Sequence, residues 1–241
     1  LFFDMDHDGD LDFFEARSTG NLFFQNNSDG TFQDQSAKLG SSGKNLISRD
    51  AAFGDFDEDE DIDFIVANEN AGNILYSNQR QGVFKDISAE SGLNGEGGSG
   101  AVTVGDYNND GYLDIFIASL TGGRSRLYRN LRNGSFEEIK NNSEIFSALK
   151  NVRANDAAFL DFDNDGFLDL LIAGESSEKD GKGVFLYHND GKENFTDVSQ
   201  LLPEELKSGS KIAIFDYNDD GDLDIVIARS NGGVSLLRND G

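Results

Sequence analysis

A nine-residue acidic pattern, written five times at a nearly constant spacing, limits what this 241-residue chain can fold into. In residues 161–169 it reads D-F-D-N-D-G-F-L-D, with the apolar run L-L-I-A directly behind it. The copies begin at Asp4, Asp55, Asp106, Asp161 and Asp216, so successive starts differ by 51, 51, 55 and 55 residues. A period near 50 residues marks a repeat architecture and not a single irregular core.

Each repeat reads as four short β segments. The first enters the acidic loop (residues 50–54 in the second repeat), and the second leaves it as a nearly continuous apolar run (62–68). The third and fourth (73–78 and 83–88) alternate more, as half-covered outer strands do. Flanking Gly, Asn and Asp, with β-branched and aromatic residues inside the runs, favour strand over buried helix. The one proline, Pro203, interrupts no segment. Four-stranded units of this length predict an all-β fold, a β-propeller of antiparallel blades, because an isolated four-stranded sheet covers its faces only by radial stacking. Residues 1–241 are expected to form one domain. The connections 37–49, 89–100, 140–155 and 199–210 read as surface loops, with helical turns expected at 143–152 and 203–206. The terminal segments enter and leave in mid-repeat, so the chain is expected to be an arc of a larger ring.

The loops have the spacing of a hard-cation cage. Such a cation takes six to eight oxygens at about 2.3–2.6 Å, and Asp is the shortest side chain that delivers a carboxylate from a tight turn. Position 1 is Asp4, Asp55, Asp106, Asp161 or Asp216; position 3 is Asp6, Asp57, Asn108, Asp163 or Asn218. Position 5 is Asp8, Asp59, Asp110, Asp165 or Asp220, and position 9 is Asp12, Asp63, Asp114, Asp169 or Asp224. Position 7 offers a backbone carbonyl: Asp10, Asp61, Tyr112, Phe167 or Asp222. Glycine at position 6 permits a left-handed turn. Hard oxygen ligands without Cys or His point to Ca²⁺, about one per loop and up to five, over Zn²⁺ and Mg²⁺. A single copy could be a solvated acidic turn, but five copies would each crowd carboxylates with nothing to neutralise them. Glu60 replaces glycine in the second loop, which is therefore expected to be the weakest or most distorted.

The residues A-F-G-D followed by the Asp loop and an I-V-A strand (52–67) resemble the FG-GAP-like (VCBS) repeat, which builds the calcium-binding propeller of integrin α subunits and many exported bacterial proteins. The stretches N-I-L-Y-S-N (73–78), R-L-Y-R-N-L-R-N-G-S-F (126–136) and F-L-Y-H-N-D-G (185–191) look most like the subset in cartilage acidic protein and its bacterial ASPIC/UnbV-associated relatives. The resemblance covers essentially the whole chain. It implies Asp ligands at positions 1, 3, 5 and 9, a ring of about seven blades, and an extracellular or exported setting: secreted, periplasmic or cell-surface in a bacterium. Glu60, Asn108 and Asn218 depart from the pattern, and no ASPIC/UnbV segment is present.

The formal charge is −25, and five dications of charge +2 would bring it to about −15. The excess acid excludes nucleic acid as a natural partner, since phosphate binding needs a basic stripe. There is no cysteine, hence no disulfide framework, and no run approaches the roughly 20 apolar residues of a membrane span. His7 and His188 read as surface residues, His7 pointing away from its loop. Phe32, Phe84, Phe136 and Phe195 recur once per repeat and read as packing between blades. No nucleophile–base spacing or phosphate-binding glycine loop appears.

Alternating strand direction places the acidic loops and third-to-fourth turns on one face. The opposite face then carries more than half of the basic residues: Arg17, Lys38, Lys44, Arg49, Arg124, Lys150, Arg153, Lys179, Lys182, Lys207 and Arg229. The chain is expected to be a calcium-stabilised, non-catalytic scaffold for protein or glycan binding and adhesion, with its ligand on this second face. The alternatives are a polysaccharide-acting enzyme, or its accessory domain, using the propeller channel, and an architectural spacer.

Overall fold

The apolar run behind each acidic loop becomes the second strand of an antiparallel sheet, hydrogen-bonded on one side to the segment before the loop and on the other to the segment after. A computed structural model of the chain describes residues 1–40, 45–80, 83–93, 97–120, 123–140 and 145–241. Its sheets follow chain order. The first is β1 (Phe2–Phe3), β2 (Asp12–Glu15), β3 (Leu22–Asn26) and β4 (Phe32–Asp34). The second is β5 (Ser48–Gly54), β6 (Asp63–Asn68), β7 (Ile74–Asn78) and β8 (Phe84–Asp86). The third is β9 (Ser99–Gly105), β10 (Asp114–Ser119), β11 (Arg126–Asn130) and β12 (Phe136–Glu138). The fourth is β13 (Val152–Leu160), β14 (Asp169–Ser176), β15 (Val184–Asn189) and β16 (Phe195–Asp197). The fifth has three strands, β17 (Lys211–Phe215), β18 (Asp224–Ala228) and β19 (Val234–Leu237).

These are five propeller blades. The second strands β6 and β10 are buried at every residue, because both faces of a blade meet a neighbour. The first strands stand nearest a common axis. Asp50 on β5 accepts the Val102 N–H of β9 (3.1 Å), and Asp156 on β13 accepts the Ile212 N–H of β17 (2.8 Å). Lys211 on β17 lies 3.5 Å from Asp156 and 3.8 Å from Asp50, joining three blades at the centre.

Four hydrophobic clusters fill the gaps between successive blades, the first gap around Phe14, Phe23, Phe64 and Tyr76, the last around Leu171, Leu186, Ile225 and Ile227. Among the described residues no cluster joins the first blade to the fifth. Both lateral faces of the set are apolar and open. Phe2, Leu11 and Phe32 are 58, 57 and 50% exposed on the first blade, and Tyr217, Val234 and Leu236 are 59, 63 and 43% exposed on the fifth. Phe84, Phe136 and Phe195 are buried between blades as expected, whereas Phe32 is not, because no blade stands before it.

The inter-blade connections depart from the expected surface loops. Leu39, Leu93, Phe146, Leu149, Leu202 and Leu206 within them are buried in the inter-blade clusters. Blades diverge from the axis, and these side chains fill the widening wedge. Short 3₁₀ turns at Ser36–Leu39 and Ile145–Asn151 present Leu39, Phe146 and Leu149, and one at Ser199–Leu201 leads into Leu202. The turn expected at 143–152 is thus seen from 145 onward, and residues 143 and 144 lie outside the described residues, as does Lys44. Residues 203–206 form a turn closed by the Leu206 N–H on the Pro203 carbonyl.

Candidate metal centre

Each acidic loop is folded by its own first carboxylate. In the fourth loop Asp161 accepts the N–H groups of Asp165 (3.1 Å) and Gly166 (2.9 Å), and Asp165 accepts that of Phe167 (2.9 Å). The same three bonds recur from Asp4 and Asp8, Asp55 and Asp59, Asp106 and Asp110, and Asp216 and Asp220. Position 6 has positive φ in every loop, 71° at Glu60 included. Position 4 does too: His7, Glu58, Asn109, Asn164 and Asp219 lie between 56° and 60°. That second left-handed residue was legible in the sequence as Asn or Asp in three of the five copies.

Position 9 closes the cage from the first residue of the second strand. Asp12, Asp63, Asp114, Asp169 and Asp224 are all buried. Each accepts the backbone N–H of the Asn ending the third segment, Asn26, Asn78, Asn130, Asn189 or Asn239, at 2.7–2.8 Å. Burial pushes the carboxyls of Asp63 and Asp114 up to about 7 and that of Asp169 to about 6, against an ordinary 3.8. Asp6 and Asp57 at position 3 are also raised, first by burial and then by the carboxylates at positions 5 and 1. A cation in the loop would supply the charge that favours ionisation of these groups.

The predicted ligands converge. Carboxylate oxygens of Asp4, Asp6 and Asp8 lie within 4.8 Å of one another, as do those of Asp55, Asp57 and Asp63, and of Asp161, Asp163 and Asp169. The third and fifth loops, with Asn108 and Asn218 at position 3, form no such carboxylate group among the described residues. The donor set fits a hard dication, and the buried Oδ1 of Asp6 has no hydrogen-bond partner. Asp10, Asp61, Tyr112, Phe167 and Asp222 each donate their N–H to position 5, which fixes the course of the chain at position 7.

Of the two histidines, His7 is exposed as expected, whereas His188 is half-buried and corrects the surface reading. His188 on β15 puts Nδ1 3.2 Å from Asp169 and 3.3 Å from Asp163, because the third strand lies beside the second, where position 9 begins. A nitrogen base therefore adjoins the fourth cage. His7 does point away from its own loop, but onto the next one, 3.1 Å from Asp61.

That contact belongs to a series. Glu58 hydrogen-bonds Tyr112 of the third loop, Asn109 donates to the Gly166 carbonyl of the fourth (2.8 Å), and Asn164 donates to Asp222 of the fifth (2.5 Å). A deeper series runs beneath. Asn78, Asn130, Asn189 and Asn239 donate their side-chain N–H to the position-2 carbonyl of the preceding loop, at Met5, Phe56, Tyr107 and Phe162, over 2.7–2.9 Å. Sequence reading missed both series; the one available signal was an Asn closing the third segment of every repeat. Third-to-fourth turns share the loops' face as expected, with Arg80 3.1 Å from Asp61, and Arg132 3.2 Å from Asp110 and over the Tyr112 ring.

A family profile described as FG-GAP-like repeat matches residues 4–66, 55–117, 106–172 and 161–227. Cartilage acidic protein 1 of Homo sapiens is 31% identical over 164 residues, 65% of this chain and 25% of that protein. Its Xenopus tropicalis counterpart is 25% identical over 228 residues, 90% of this chain and 34% of its own length. The chain thus spans a quarter to a third of the curated relatives it matches. Among solved structures, an Agrocybe aegerita lectin, described by its specific recognition of non-reducing terminal N-acetylglucosamine, superposes with a TM-score of 0.61 at 18% identity. The match covers all of this chain and 63% of the lectin, and shows a shared fold.

Proposed function

The chain belongs to the FG-GAP-like repeat family, and on that premise we propose that it is a calcium-stabilised, non-catalytic β-propeller scaffold that presents a protein or glycan ligand site on the face opposite the acidic loops. The observation that carries this reading is the fivefold repetition of one acidic loop, folded by the same backbone bonds, with neighbouring loops linked through position 4. Each Ca²⁺ would sit among positions 1, 3, 5, 7 and 9, neutralise the cage, and tie the first strand of a blade to the second. Extracellular modules of this chemistry work with Kd values of about 0.1–1 mM, which suits an extracellular or exported setting. The relatives named for cartilage and the lectin with the same fold support a binding role.

The exposed lateral faces extend the proposal. Leu11 and Phe32 occupy positions whose counterparts in the second blade, Ile62 and Phe84, pack on the first. Tyr217, Val234 and Leu236 are the counterparts of Phe162, Val184 and Leu186, which pack on the fifth. Further blades, to a total of about seven, would cover both faces.

Calorimetric titration of EDTA-stripped protein with Ca²⁺ tests the metal reading. Saturable binding to more than one site is expected, and absence of binding would overturn it. A glycan array followed by product analysis separates the scaffold from a polysaccharide-acting enzyme: capture without new reducing ends supports the scaffold, and turnover supports the enzyme.

A further inference from the structure

Opposite the acidic loops, the inner strands open into a cleft of about 440 Å³. Three of its lining residues, Arg49, Gly100 and Asn155, are the extra residues of β-bulges in β5, β9 and β13. A bulge re-aims a side chain that a regular strand would place elsewhere, and such features gather at sites of function. Arg153 and Arg229 join Arg49, so three of the 20 basic residues of a chain with charge −25 meet in one small cleft. Glu175 is the one carboxylate of the lining.

The guanidiniums are unequally committed. Arg49 is held by Glu69, Nε donating at 2.7 Å. Arg153 and Arg229 have no carboxylate partner among the described residues, and the Nε of Arg229 is buried without a hydrogen bond. Buried donors ordinarily find acceptors, and the planar fork of Arg matches a carboxylate in bidentate fashion. The lining also holds the short polar side chains of Asn155 and Ser210 and the apolar Leu120 and Ala154. The volume falls in the range of small-ligand sites, about 300–1,000 Å³.

We propose that this cleft binds the carboxylate of an acidic sugar, a hexuronate residue, with Arg153 and Arg229 holding the carboxylate and Asn155, Ser210 and Glu175 meeting the ring hydroxyls. A sugar acid carries its charge and its hydroxyls on one ring, matching the mixed lining. Asn155 and Ser210 already donate to the Gly209 and Ala228 carbonyls, at 3.0 and 3.1 Å, so their oxygens are left to accept. Ring hydroxyls can donate to them, whereas an acidic peptide side chain, a carboxylate on a methylene stem, has no donor to offer. The proposal rests on the scaffold reading and names the ligand class of its second face.

The test is calorimetric titration with trigalacturonate at low ionic strength and saturating Ca²⁺, so that the sugar does not strip the loops. One-to-one binding is expected, weakened about tenfold or more by carboxyl reduction of the sugar and by Arg153→Gln or Arg229→Gln. Lys192→Gln, at an exposed basic residue of a third-to-fourth turn on the acidic-loop face, should bind as the parent does. Arg153 is exposed, so its variant carries the test if Arg229→Gln does not fold. Absence of binding, equal binding of the reduced sugar, unchanged affinity in Arg153→Gln, or tighter binding of hexaglutamate would each overturn the proposal. Capture of a neutral glycan unaffected by Arg153→Gln would overturn the cleft assignment and leave the scaffold reading standing.

Discussion

Position 6 of the acidic loops takes φ between 89° and 95° where glycine stands and 71° where Glu60 does. A side chain in the left-handed region costs about 1–2 kcal/mol, and Glu58, two residues earlier, also has positive φ at 60°. Glu60→Gly should therefore raise the unfolding free energy by about 1 kcal/mol, read by urea denaturation in saturating Ca²⁺; a loss of stability would show that Glu60 makes a compensating contact. Asp50 shows the opposite balance at the centre of the blades. Burial pushes its carboxyl up to about 6, with Lys211 pulling against the shift. Between its ordinary 3.8 and about 6 the folded chain holds a proton that the unfolded chain has released, so this group's contribution to stability falls as pH rises through that window. Asp50→Asn keeps an acceptor for the Val102 N–H and removes the titration. The slope of melting temperature against pH between about 4 and 6 should become less negative, and an unchanged slope would place Asp50 outside the pH response.

The element that joins one blade to the next is the Asn closing each third segment. Asn130 donates to Phe56 of the preceding blade (2.8 Å) and to Leu113 of its own (3.1 Å), both carbonyls losing a partner if the side chain is cut. Asn26 has the same place in the first blade but donates only to Leu11, at 3.2 Å and in an exposed setting. Asn130→Ala should cost about 2–4 kcal/mol and Asn26→Ala about 1 kcal/mol or less, compared by chemical denaturation; equal costs would show that the bond between blades adds nothing. This pair also shows what could be read in advance. The first cage was legible because Asp4, Asp6 and Asp8 lie within five residues, and local backbone geometry brings their carboxylates together. The strands were legible because each apolar run sits between Asp and Asn clusters. Asn78 meets Met5 across 73 residues and Asn189 meets Tyr107 across 82, partners that only the stacking of blades brings together. His188 escaped for the same reason, its contacts with Asp163 and Asp169 depending on strand register and not on spacing.

At the scale of the molecule, two opposed features meet: a rim of acidic loops on one face and uncovered apolar sides on the first and fifth blades. The sides predict that the 241-residue chain studied alone binds an environment-sensitive apolar dye and self-associates with concentration. Phe2→Glu and Leu236→Glu, at exposed positions of the two sides, should lower both signals; unchanged association would locate it elsewhere. The rim carries the central claim, that divalent calcium holds the blades. At a free concentration one hundred times Kd, each filled site adds about 2.7 kcal/mol. For a chain of this length 1 kcal/mol corresponds to about 2–4 °C. The direct test is thermal unfolding at neutral pH with Ca²⁺ and with excess EDTA. Two filled sites would separate the curves by about 10–20 °C, with Ca²⁺ restoring the higher melt after chelation. Superimposed curves, with no calcium retained by the folded protein, would contradict the claim.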